Sequence, residues 1–144
     1  MVSILIIGHG NFATGTLSAT RLVAGAPKNV YALDFSEGMS LEELKEKMKA
    51  ALMSIDTREI LIMADLVGGT PFRTAVELKM NLPEKEIRIV AGVNMPALME
   101  AAFSSDSMGL AELAGTVMQT AMDGFVDWDA PAEEAAEADF EGGL

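Results

Sequence analysis

Four short runs rich in Ile and Val, at residues 2–8, 30–34, 59–65 and 86–92, alternate along the chain with helical patterns. The runs are nearly continuous in apolar residues, as strands covered on both faces require. Strand and helix in alternation fold as right-handed βαβ units around a parallel sheet. The chain is therefore expected to form one α/β domain, a three-layer sandwich on a four-stranded parallel sheet; the strand order expected of it is 2-1-3-4. Its 144 residues, half of them hydrophobic, suffice to bury a core.

Helices are expected in the intervals. The first covers residues 11–24. The second begins at Ser40, where Ser-Leu-Glu-Glu puts Glu43 three residues after a capping hydroxyl, and Leu44, Met48, Ala51, Leu52 and Ile55 give it one apolar face. Thr70-Pro71 reads as a hydroxyl cap followed by proline at the first helical position, opening a third helix that runs to about Met80. Beyond the fourth strand, a short helix near 96–103 and a longer one over 108–122, capped by Ser107, complete the pattern. Residues 1–129 are read as the domain. Residues 130–144, "APAEEAAEADFEGGL", are read as an acidic tail, either an exposed helix fragment or disordered.

Composition removes several classes of chemistry. With no cysteine, disulfides, thiolate metal sites and cysteine nucleophiles are excluded, and a reducing compartment is permitted. A single histidine excludes a two-histidine metal site. The apolar N-terminus lacks a basic region and is too short for a signal peptide, and no run reaches the ~18 apolar residues of a membrane span, so a soluble protein is expected. The net charge is −12, the last basic residue is Arg88, and half of the 22 acidic residues follow it. Such a surface repels nucleic acid and anionic lipid and steers basic protein partners.

In an open parallel sheet, ligands sit outside the carboxyl ends of the strands, where the winding order reverses. His9, Asp34, Asp65, Thr70 and Asn94 all fall at or just after a strand end. A lone histidine is by default a structural residue, but His9 lies in "ILIIGHGNFA", where Gly8 and Gly10 remove bulk on both sides and let another molecule approach the imidazole. In "DLVGGTPF", Gly68 and Gly69 precede a helix and, with Thr70, present backbone N–H groups that suit an anion. Asp65 at the end of the third strand can reach a histidine at the end of the neighbouring first strand. A carboxylate on one ring nitrogen fixes the tautomer and leaves the other free to attack, which is nucleophilic catalysis by histidine with a phosphoryl group as the natural electrophile.

Two rival readings use the same residues. Gly8, Gly10 and Ala13 match G-x-G-x-x-G/A, with Asp34 about twenty residues on, the fingerprint of a dinucleotide-binding domain; His9 would crowd its pyrophosphate turn. A hydrolase with Thr70 as nucleophile and His9 as base would lack a G-x-S-x-G elbow.

The segments "ILIIGHGNFATG", "LIMADLVGGTPF" and "IVAGVNMPALME", in that order at the ends of strands one, three and four, resemble the mannose-family enzyme IIA of the bacterial phosphoenolpyruvate-dependent sugar phosphotransferase system. The likeness covers residues 2–124. It implies a cytoplasmic phosphotransferase that relays phosphohistidine without metal or organic cofactor. The phosphocarrier protein HPr would phosphorylate His9 at Nε2, with Asp65 on the other ring nitrogen, and His9 would pass the group to a histidine of enzyme IIB. Gly10, Gly68, Gly69, Thr70 and Asn94 would line the site. Membrane contact would be indirect, through the IIC and IID components, and no nucleic acid would take part. The resemblance also implies a homodimer that exchanges a C-terminal edge strand, here around residues 124–128. Because the chain ends at Leu144, it is expected to be a separate IIA subunit. Arg73 and Arg21 are the only cations expected near the loops. The sugar is left open among mannose, fructose, sorbose, N-acetylgalactosamine and gluconate.

Overall fold

The computed structural model describes residues 1–131. Strands β1 (Ser3–His9), β2 (Val30–Phe35), β3 (Glu59–Ala64) and β4 (Glu86–Ala91) pair in parallel, as the alternating pattern predicts, and stand in the expected order β2-β1-β3-β4. Helices α1 (Phe12–Ala24), α2 (Leu41–Ser54) and α3 (Gly69–Asn81) form the crossovers, and α4 (Met95–Ser104) and α5 (Leu110–Asp123) follow β4.

Side-chain alternation along the strands sorts the apolar runs into two cores. Ile4, Ile6, Leu61 and Met63 pack with Leu17 of α1, Leu98 of α4 and Leu113 and Val117 of α5. Leu5, Ile7, Ile60, Ile62 and Ala64 pack with Leu44, Met48 and Leu52 of α2 and Ala75 and Leu78 of α3. Because β1 and β3 are covered on both faces, every residue from Ser3 to Gly8 has to be apolar or small. His9, in step with Leu5 and Ile7, is the first residue of β1 to leave the core, on the side of α2 and α3.

Helix starts follow the expected chemistry in part. Ser40 caps α2, its hydroxyl oxygen accepting from Glu43 N–H at 3.1 Å. Thr70, expected to cap α3, lies inside it: the cap is Gly68, with φ of 80°, and the helix begins at Gly69, with φ of 75°. Two consecutive residues at positive φ favour glycine, so the Gly-Gly pair takes the turn and pushes Thr70 into the first helical turn. Ser107, expected to cap α5, belongs to the turn that closes α4, its N–H and hydroxyl both donating to the Ser104 carbonyl. The cap of α5 is Gly109, and Leu110 N–H donates to the Glu59 carboxylate at 3.3 Å.

Residues 124–128, read as a candidate edge strand, form no strand in the single chain; Phe125 is 90% and Trp128 68% exposed. The backbone there makes turn bonds, with Phe125 N–H donating to the Met122 carbonyl and Ala130 N–H to the Asp127 carbonyl. The acidic tail falls almost wholly outside the described residues. Among those described, no helix is long and apolar enough to cross a membrane.

The two serines separate a true cap from an apparent one. Ser40→Ala should lower stability by about 1 kcal/mol, and Ser107→Ala by less than about 0.5 kcal/mol, in urea unfolding at neutral pH. Equal losses would contradict the assigned start of α5.

Candidate functional site at the carboxyl ends of the strands

The site is built where β1 ends between its two neighbours. On one flank His9 is in register with Phe35 of β2, and the turn that follows is tied back by Gly10 N–H donating to the Phe35 carbonyl at 2.8 Å. Gly10 has φ of 58°, and no atom stands where its side chain would be, so it is glycine for its backbone angle. On the other flank the β1–β3 ladder continues one residue past Ala64, with Asp65 N–H donating to the Ile7 carbonyl at 3.2 Å. That bond sets the Asp65 side chain beside His9.

One carboxylate oxygen then holds His9 twice. Asp65 Oδ2 accepts from the His9 backbone N–H at 2.9 Å and lies 2.8 Å from His9 Nδ1, while Oδ1 accepts from Leu66 N–H at 2.9 Å. A carboxylate can only accept, so Nδ1 carries a proton and Nε2 of the neutral ring keeps its lone pair. The imidazole is 46% exposed and the carboxylate only 11%, so the nucleophile is reachable and its partner is sheltered. Burial pushes the Asp65 carboxyl up, but the His9 backbone N–H, the His9 ring and Leu66 N–H outweigh it and hold the group below the ordinary aspartate value.

The Nε2 edge of the ring faces the start of α3. A Cβ on Gly69 would stand 2.9 Å from His9 Cε1 and 3.2 Å from Nε2, so any side chain there would strike the ring. The first N–H groups of a helix have no partner within it, and α3 has no capping side chain and no acid in its first turn. Its positive end therefore stays free to attract an anion beside Nε2. Phe35 flanks the ring, its centroid 6.1 Å from that of the imidazole in a T-shaped contact at 68°. Sequence reasoning missed Phe35, although its place at the end of the strand beside His9 was a usable signal.

Other expected residues are placed differently. Asn94 caps α4, its Oδ1 accepting from Ala97 N–H at 3.1 Å, and its Nδ2 donates to the Ala121 carbonyl at 2.9 Å. Its amide is thus committed to joining α4 to the end of α5. The N–H of Gly10 is taken by Phe35. Arg21 lies in the last turn of α1, at the far end of that helix from the His9 turn. The dinucleotide reading loses its acid, because Asp34 accepts from Thr14 N–H at 3.0 Å and from the Thr14 hydroxyl at 2.5 Å. It also loses its cleft, since a Cβ on Gly8 would stand 2.6 Å from Phe12 Cδ1: the space freed by that glycine holds the Phe12 ring.

A family model, EIIA-man, described as PTS system fructose IIA component, matches residues 3–118. The chain belongs to the EIIA-man family. It is an EIIA component of a sugar phosphotransferase system, similar along most of its length to the sorbose-specific EIIA component of Lacticaseibacillus casei, with 30% identity over 82% of this chain and 84% of that one. The mannose-specific EIIAB component of Escherichia coli (strain K12) is 32% identical over 95% of this chain but only 43% of its own length. The crystal structure of the phosphotransferase system component EIIA from Streptococcus agalactiae superposes with a TM-score of 0.84 at 34% identity, covering 91% of this chain and all of that one. This EIIA component thus shares its fold with a solved relative.

The lowered Asp65 value has a signed consequence. An unfolded aspartate titrates near 3.9, so the folded carboxylate adds stability that is complete above about pH 4 and is lost as pH falls through the lower folded value. The stability gap between wild type and Asp65→Asn should narrow as pH drops from 5 toward 2, as measured by urea midpoints. A gap that widens over this range would contradict the carboxylate geometry.

Proposed function

We propose that this EIIA component is a phosphohistidine relay that takes a phosphoryl group from HPr on His9 Nε2 and passes it to a histidine of enzyme IIB. The observation that carries the reading is the single carboxylate holding Nδ1 at 2.8 Å while Nε2 faces the uncapped start of α3. In the forward step the Nε2 lone pair attacks phosphorus, the new N–P bond forms as the donor's N–P bond breaks, and the donor imidazole leaves with the bonding pair. The Nδ1 proton stays where it is. Positive charge develops on the ring, and Asp65, already ionised and sheltered, stabilises it without rearranging.

The N–H groups of Gly69 and Thr70, with Gly68 supplying the turn, would receive the phosphoryl oxygens, and Pro71 has no N–H to give. Arg73 lies one turn further along α3. Holding the group chiefly by backbone dipoles keeps the bound state shallow, which suits onward transfer. Relatives whose names specify fructose, sorbose and mannose share this family, and the relay step proposed here is the same for each sugar.

Residues 1–129 would form the working unit in the cytoplasm, with membrane contact only indirect, through the IIC and IID components. We also propose a homodimer in which residues 124–128 complete the partner's sheet. Its support is the outer position of β4 at the sheet edge together with exposed Phe125, Val126 and Trp128. Sedimentation at micromolar concentration should show a dimer for the full chain and for a chain ended at Ala130. A chain ended before Gly124 should be monomeric or aggregated, and a full-length monomer would remove this part of the proposal.

Enzyme I, HPr and labelled phosphoenolpyruvate test the relay. Wild type should take up label that is lost in acid and survives base, and His9→Gln should take up none; equal labelling of both would end the proposal. Losing a charge-assisted hydrogen bond worth about 1.5–3 kcal/mol should slow transfer to Asp65→Asn on the order of 10- to 100-fold. Rapid quench from phosphorylated HPr measures that rate, and an unchanged rate would mean that the Asp65 charge takes no part in the chemistry.

A further inference from the structure

Asp34, the last residue but one of β2, has no part in the relay step, yet both of its oxygens are committed. Oδ1 accepts from Thr14 N–H at 3.0 Å and Oδ2 from the Thr14 hydroxyl at 2.5 Å. Thr14 is the third residue of α1, a helix whose own cap, Asn11, makes no side-chain bond and whose first turn has no acid. The carboxylate of the neighbouring strand thus does the work of a missing cap and puts negative charge on the positive end of α1.

The chain between these anchors is the His9 turn. β2 touches it at three points: Phe35 packs its ring on the imidazole, the Phe35 carbonyl takes Gly10 N–H, and Asp34 fastens Thr14. Gly10, with φ of 58° and no atom where a side chain would stand, is the joint about which this turn would swing if α1 were released. Asp65 holds the opposite side of His9. The imidazole therefore keeps its aim at Gly69 only while the turn is gripped from both flanking strands.

We infer that Asp34 is a positioning residue for the His9 nucleophile, acting through Thr14 to lock the first turn of α1 against the end of β2. This rests on the relay reading for its effect on rate but not for its effect on the ring. Loosening the turn lengthens the bond from Nδ1 to Asp65, so the free ring no longer keeps its proton on Nδ1. The same loosening misaligns Nε2, a displacement of a kind that slows a well-oriented reaction steeply.

The test compares Asp34→Ala, Thr14→Val and Thr14→Ser. Nitrogen-15 spectra of the single imidazole report the tautomer, thermal unfolding reports the fold, and rapid quench from phosphorylated HPr reports transfer. Thr14 is exposed, so Thr14→Val should stay folded even where Asp34→Ala does not. We expect Asp34→Ala to mix the two tautomers and to slow transfer on the order of 10-fold. Thr14→Val should shift both in the same direction by less, and Thr14→Ser should restore the wild-type ring signals and rate. Wild-type ring signals in folded Thr14→Val and Asp34→Ala, or a fall in thermal midpoint alone, would overturn the inference and leave Asp34 a stabilising cap only. If wild type itself accepts no phosphoryl group, the relay reading fails, and the ring spectra still decide the role of Asp34.

Discussion

The contact between Asp65 and His9 is the interaction on which the rest of this site depends. One oxygen of one carboxylate receives both the backbone N–H and the ring N–H of the same residue. It therefore fixes where the chain leaves β1 and which ring nitrogen is free. Neither part would suffice alone. A backbone bond without the ring bond would leave the tautomer unset, and a ring bond without the backbone bond would leave the loop after the strand to wander. The carboxylate can serve in this way because three N–H groups, two of His9 and one of Leu66, offset its burial.

The two helices that begin beside His9 are treated in opposite ways. The start of α1 receives a carboxylate from Asp34, whereas the start of α3 has a glycine cap and no acid in its first turn. The first end is neutralised and structural, and the second is left as an attractive end facing Nε2. On a chain with a net charge of −12, an uncompensated helix start is a local way to receive an anion that the surface as a whole repels. The same sheet explains the tolerances: Gly8 yields its space to the Phe12 ring, and Gly69 yields its space to the imidazole.

Much of this was legible in the sequence because it follows from patterns within a single segment. The strand runs at 2–8, 30–34, 59–65 and 86–92 lie within a residue of the observed strands, and the runs of the two central strands, β1 and β3, are nearly unbroken because both their faces are covered. The juxtaposition of His9 and Asp65 followed from adjacent strand ends. What was not legible depends on contacts between segments or on a competition within a turn. Thr70 is displaced by the Gly68–Gly69 pair, whose positive φ favours glycine, whereas Ser107 is drawn into the turn that closes α4 and leaves the cap of α5 to Gly109 in extended backbone. Asn94 is a polar residue at a strand end whose amide closes a helix start and reaches α5. Asp34 completes a dinucleotide-like spacing, and only the position of Thr14 across the sheet shows that its carboxylate is already occupied.

The central claim is that His9 reacts through Nε2 because Asp65 retains the proton on Nδ1. Phosphorus–nitrogen coupling in the phosphorylated protein, uniformly labelled with nitrogen-15, tests it most directly, because the single imidazole leaves no ambiguity of residue. The account predicts one coupling from phosphorus to Nε2, with Nδ1 still protonated. Coupling to Nδ1, or a phosphorylated protein with no phosphorus coupling to either ring nitrogen, would contradict it.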